Sequence, residues 1–180
     1  MMKARYETAL RFSEFLERAQ KNAELWRDTY RLTKVPPEAV ARVAGLPGRW
    51  HLLVMVEDWC GDAVNTVPML ARLAELAPNL DLRVIGRDDN PDLMNSHLTN
   101  GSRSIPVVIV LDENHVERGW WGPRRSELQR WVLGEGKALE KEERYRRVRT
   151  WYARDRGRTT AEEVVDVIAQ AIERRPAAAA

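Results

Sequence analysis

Leu52-Leu53-Val54-Met55-Val56-Glu57-Asp58-Trp59-Cys60-Gly61-Asp62-Ala63 is the stretch whose reading decides the fold. Five apolar residues in a row, without polar alternation, describe a strand buried on both faces, which is the habit of central strands in sheets covered on both sides. The charged and turn-forming residues that follow end the strand, and a helix opens at Cys60. Pro68 within that helix removes one backbone hydrogen bond and is expected to bend it, and Pro78-Asn79 ends it. Cys60 is the single cysteine of 180 residues. At a strand-to-helix junction its thiol meets unpaired N–H groups and the positive end of the helix dipole, and both favour thiolate. Position 63, where a dithiol site would carry its second cysteine, is Ala63. No disulfide can form within the chain, so redox chemistry would need a thiol from outside.

Downstream, Leu80 to Ile85 alternates apolar and charged residues as a half-buried strand does, and a loop over 86–90 leads to a helix opening at Pro91 and closed by Asn100-Gly101. Val107 to Leu111 is a second buried run. Asp112 to Asn114 turns it back into Val116 to Trp121, and a helix from about Arg125 to Leu133 is expected to cover the sheet. Upstream, Phe12, Phe15, Leu16, Ala19, Ala23, Trp26 and Tyr30 recur at helical steps and predict one long amphipathic helix. Val35-Pro36-Pro37 breaks it, a short helix runs from Pro37 to near Gly45, and Gly45 to Gly48 forms a turn. After Gly134-Glu135-Gly136 come a helix from about Ala138 to Tyr152 and another opening at Thr160-Ala161-Glu162-Glu163, which has capping-box form. Val164, Val165, Ile168, Ala171 and Ile172 give that last helix a packing face, and Pro176 with the alanine tail reads as a frayed end. The pattern is α/β. It predicts one domain over 1–180, with a core at about 50–133 and helical extensions at 1–49 and 134–180.

Trp59-Cys60-Gly61, Pro68 eight residues after the cysteine, Ser104-Ile105-Pro106 leading into Val107, and Gly122 beyond the next strand together resemble the thioredoxin family. More narrowly, EDWCGDA at 57–63 with LTNGSRSIP at 98–106 and WGPR at 121–124 is similar to bacterial thioredoxin-like proteins in which a single cysteine replaces the dithiol. The likeness covers about residues 50 to 133. It implies a thioredoxin-like fold: a central mixed four-stranded sheet, ordered second, first, third, fourth along the chain, with helices on both faces. It also implies a cis bond between Ile105 and Pro106, packed against Cys60. That geometry would leave the N–H and C=O of Ile105 free to pair with an extended peptide or glutathione by strand addition, with Trp59, Trp121 and Gly122 at the same edge. Two plainer readings stand beside it. Pro106 could be an ordinary strand-edge proline, and Trp121 could be a core tryptophan. The chain also departs from the family: proton-shuttling members carry a buried aspartate six residues before the cysteine, and this chain has Val54.

Cys60 itself admits two readings, an inert buried cysteine or an active thiol. The flanking Glu57, Asp58 and Asp62 favour the second, since solvated carboxylates beside it would keep the thiol near the surface. Asp62, in the first helical turn, competes with the thiolate for the dipole, so only mild activation is expected. The functional expectation is monothiol thiol–disulfide exchange through Cys60 on a disulfide-containing or glutathionylated protein or a small thiol. It would use no cofactor, with glutathione or another external thiol as co-substrate. The alternative is a non-catalytic protein that keeps the cis-proline edge for peptide or protein recognition.

The composition is ordinary for a globular protein, 44% hydrophobic and 31% charged, with a net charge of +2 too small to imply a nucleic-acid or membrane partner. Arginines do gather around Trp151-Tyr152, yet Glu140, Glu142, Glu143 and Asp155 are interspersed, as on a solvated helix face. MMKARYETAL lacks the apolar core of a signal peptide, and no run approaches ~18 apolar residues, so a cytoplasmic location is expected. His51, His97 and His115 stand at no zinc spacing, and no metal site is predicted.

Overall fold

A computed structural model describes residues 2–174; Pro176 and the alanine tail lie outside the described residues. The chain runs α1 (Met2–Thr8), β1 (Leu10–Arg11), α2 (Phe12–Arg18), α3 (Ala23–Leu32), α4 (Pro37–Ala44), β2 (Trp50–Val56) and α5 (Gly61–Leu76). It continues through β3 (Leu80–Gly86), α6 (Pro91–Asn95), β4 (Val107–Leu111), β5 (Glu117–Trp121), α7 (Ser126–Leu133), a 3-10 turn over Glu135–Ala138, α8 (Lys141–Asp155) and α9 (Arg158–Glu173).

The sheet has the order β1-β3-β2-β4-β5. β2 lies at its centre, parallel to β3 with Leu52 opposite Leu82 and antiparallel to β4 with Leu53 opposite Ile109. Every residue of β2 and β4 is buried, the physical counterpart of their unbroken apolar runs. β3 alternates buried and half-buried residues. The four expected strands thus stand in the expected order in a thioredoxin-like α/β fold. A fifth is added: β1 pairs antiparallel with the outer edge of β3 through Leu10 and Val84. Two residues are too few to show a period in sequence.

Five elements differ from their sequence reading. The long N-terminal helix is two helices, α2 and α3, although Phe12, Phe15, Ala19 and Trp26 still share the buried face. Between them Asn22 is left-handed (φ 53°), and the N–H groups of Gln20 and Lys21 both donate to the Asp58 carboxylate at 2.9 Å. A side chain from the cysteine loop therefore holds the break. Asp58→Ala should cost on the order of 1 kcal/mol, measured by urea unfolding; the two amides lie near solvent, where water can take up part of the loss.

α6 ends at Asn95, not near residue 100. Asn100 and Gly101, both at positive φ, belong to a separate turn closed by a Thr99–Ser102 bridge. α7 does not cover the sheet: it packs with α8 in a satellite cluster of Leu128, Val148 and Tyr152. The covering is done by α9, which lies against β5, β4 and α5 with Val164, Val165, Ile168 and Ala171 buried and Ile172 partly so. α9 begins at Arg158, so Thr160 sits buried inside its first turn rather than capping it. Glu163 instead accepts from the Trp121 indole and from the Ser126 N–H. α8 starts at Lys141, after the 3-10 turn.

Candidate functional site

β2 delivers the chain into a turn in which the Cys60 N–H donates to Glu57 O at 3.1 Å, and Cys60 becomes the N-cap of α5. Its sulfur accepts the Ala63 N–H at 3.5 Å, as a capping side chain does. On the other side the chain enters β4 through a cis Ile105–Pro106 bond, and Cys60 Sγ donates to the Ile105 carbonyl at 3.4 Å. The thiol thus ties the start of the helix to the cis-proline loop. It is 6% exposed, not near the surface.

Burial has an electrostatic consequence. It is the largest influence on the thiol and pushes its pKa from 9.0 up to about 11, against the lowering effect of the Ala63 N–H; Asp62 adds to the rise. Mild activation was expected from the helix N-terminus. The reverse is found, because desolvation of a thiolate outweighs one backbone donor.

Asp62 was expected in solvent. It is largely buried and receives two hydrogen bonds from Arg124, with Nε at 2.9 Å from Oδ1 and Nη2 on Oδ2, and a third from the Tyr152 hydroxyl at 2.7 Å. Burial first, then Asp62, raises the Tyr152 pKa. Arg124 also reaches Gln129 Oε1 at 3.0 Å. Asp62, Arg124 and Tyr152 form one network beside the thiol, joining α5, the segment after β5, and α8. Arg124 belongs to the WGPR motif and could have been suspected in the sequence. Tyr152 had no such signal. Asp62→Asn should leave the Arg124 cation facing Cys60 without its counter-charge, lower the thiol pKa and speed alkylation. Slower alkylation of that variant would refute the assignment.

The remaining carboxylates serve the backbone. Glu57 Oε1 accepts from the Asp88 N–H, and Asp58 faces the α2–α3 break while its carbonyl takes the Trp26 indole N–H at 2.8 Å. Neither hydrogen-bonds the thiol, and Val54 is buried among apolar residues.

Other predicted residues divide. Ile105 and Pro106 are buried beside Cys60, but the Ile105 carbonyl, expected to be free for a peptide, is already occupied by the thiol. Gly122, at φ 142° and followed by a second cis bond to Pro123, backs directly onto the Pro106 backbone. Gly61 opens α5, and a Cβ added there would meet nothing within 4 Å. Trp121, 7% exposed and bonded to Glu163, is a core residue and not part of a rim. Trp59 is 49% exposed, with the Arg87 guanidinium 4.9 Å from its ring centre. Among the described residues no group of His, Cys, Asp and Glu is arranged to hold a metal, and no helix is long and apolar enough to cross a membrane.

Comparison with known proteins bears on the family and the fold. No curated protein matches the sequence. Among solved structures, a protein of unknown function from Pseudomonas aeruginosa superposes with a TM-score of 0.73 at 22% identity, over 92% of this chain and 95% of that one. An HIV epitope-scaffold superposes with a TM-score of 0.71 at 19% identity, over the same shares of both chains. At these identities the likeness is one of fold. The family model described as Thioredoxin matches residues 9–148, most of the sequence, with Cys60, Asp62, Pro106 and Arg124 inside the match and Tyr152 just beyond it, so the chain belongs to the thioredoxin family.

Proposed function

We propose that this protein is a thioredoxin-fold recognition protein without redox turnover, in which Cys60 is a buried, protonated link between α5 and the cis-proline loop. The observation that carries this reading is the thiol's S–H donated to the Ile105 carbonyl in a site closed to solvent. A nucleophilic thiol must be ionised and reachable by the attacked sulfur, and this one is neither. Ala63 in the resolving position and Val54 in the strand point the same way, since neither can regenerate or deprotonate a thiol. Recognition falls to the turn between β2 and α5, where the half-exposed indole of Trp59 offers an extended peptide an apolar surface. Monothiol exchange would require the S–H to leave Ile105 and solvent to reach the sulfur.

The test is turnover. Supplied with a glutathionylated peptide and glutathione, or with insulin and a thioredoxin-reductase system, the protein should release no more product than Cys60→Ser. Turnover above that variant would overturn the reading and restore monothiol exchange.

A further inference from the structure

Four cations, Lys34, Arg154, Arg156 and Arg158, line one open groove of about 930 Å³ between the end of α3 and the junction of α8 with α9; Asn65 of α5 and Tyr152 also line it. No carboxylate lines it. Among the described residues, none of the four takes part in an ion pair or a side-chain hydrogen bond. Elsewhere on α8, Arg146 and Arg147 both pair with Glu143. The one acid of the segment, Asp155, is turned onto the first turn of α9, where its Oδ1 accepts from the Thr159 N–H and hydroxyl. The groove therefore gathers like charges and leaves their compensation to something outside the chain.

The backbone that presents them is fixed. Arg156 closes α8 in the left-handed region (φ 55°), its N–H donating to Tyr152 O at 2.9 Å, and Gly157 follows at φ 78°. At Gly157 a Cβ would lie 2.7 Å from Met69 Cβ, so the turn is seated directly on α5. Two consecutive left-handed residues reverse the chain and bring Arg154, Arg156 and Arg158 to the same side. Such preorganisation lowers the entropic cost of gathering guanidinium groups around one anion.

We propose that this groove binds a small ligand carrying two or more phosphate groups, held by forked contacts from the arginines and by Lys34 as a point charge. Its volume suits a small molecule. A nucleic acid fits less well: the only aromatic residue in the lining, Tyr152, is buried and engaged with Asp62, leaving no ring for base stacking. The site is independent of Cys60 chemistry.

Titration of the full chain with pyrophosphate and tripolyphosphate, followed by amide NMR, should move the signals of Asn65 and residues 154–158 and saturate. Tripolyphosphate should bind more tightly than pyrophosphate. Arg156→Asn keeps a residue suited to left-handed backbone while removing the charge, and Arg158→Gln removes a second; each should weaken binding about tenfold or more. Arg146→Gln, outside the groove, and Cys60→Ser should bind as the parent does. Thermal unfolding of each variant separates lost binding from lost fold. Absence of saturable shifts, unchanged affinity in a folded Arg156→Asn protein, or a single-stranded RNA oligonucleotide that binds more tightly than tripolyphosphate would each overturn the proposal.

Discussion

Gly122→Ala is expected to destabilise the protein by roughly 3–5 kcal/mol, the sum of a side chain forced into left-handed backbone and an overpacked contact. At φ 142° an alanine Cβ would fall well inside van der Waals contact of the Pro106 carbonyl oxygen, and 3.2 Å from Val107 Cα. The obstructing atoms are backbone, and no rotamer change can clear them. Moving them would disturb the entry to β4, whose residues pair with β2 at the centre of the sheet. Gly61→Ala is the matched control: nothing lies within 4 Å of its Cβ position, and helix propensity favours alanine by up to about 1 kcal/mol. Urea unfolding should therefore move the two midpoints in opposite directions. A Gly122→Ala protein as stable as the parent would mean that the cis-proline loop does not abut residue 122.

The second large effect concerns Cys60. With its pKa moved from 9.0 to about 11, the thiolate fraction at neutral pH falls about a hundredfold below that of an ordinary cysteine, and enclosure slows the reagent further. Iodoacetamide alkylation, measured against Cys60→Ser as a blank, should keep rising about tenfold per pH unit up to and beyond 9.0, whereas a urea-unfolded sample should level off near that value. A native plateau at or below 9.0 would sink the assignment of a protonated thiol. Stability carries the same signature. The folded thiol holds its proton to higher pH than the unfolded one, so its contribution is complete below 9.0 and is lost as pH rises to about 11. The difference between parent and Cys60→Ser should change by roughly 2–3 kcal/mol across that window.

What could be read in the sequence was local. The unbroken apolar runs of β2 and β4, Pro37 at the first turn of α4 and Gly45 after its last, and the cysteine at a helix start all follow from neighbouring residues. What could not be read was made by distant ones. The break between α2 and α3 depends on Asp58, tens of residues downstream, while the apolar period runs through it undisturbed. Asp62 reads as a solvated charge until Tyr152, ninety positions away, and Arg124 are placed on it. The state of the thiol turned on the same kind of information: a helix N-terminus promises ionisation, but the Ile105 carbonyl and the surrounding burial decide against it. The thioredoxin resemblance supplied the cis bond at Pro106; it did not supply the occupied carbonyl before it.

That α9, and not α7, lies on the sheet sets an order of events as the chain is made. β2, β3, β4 and β5 are all synthesised before the helix that shields one of their faces, so a nascent chain ending near residue 157 would hold a finished sheet with an unshielded flank. Closing it means joining Trp121 to α9 across everything from 122 to 157, at a loop entropy on the order of 3 kcal/mol. Until then the sides of β4 and β5 that α9 shields stay open, and the half-made protein exposes apolar surface at the stage when its strands have already formed.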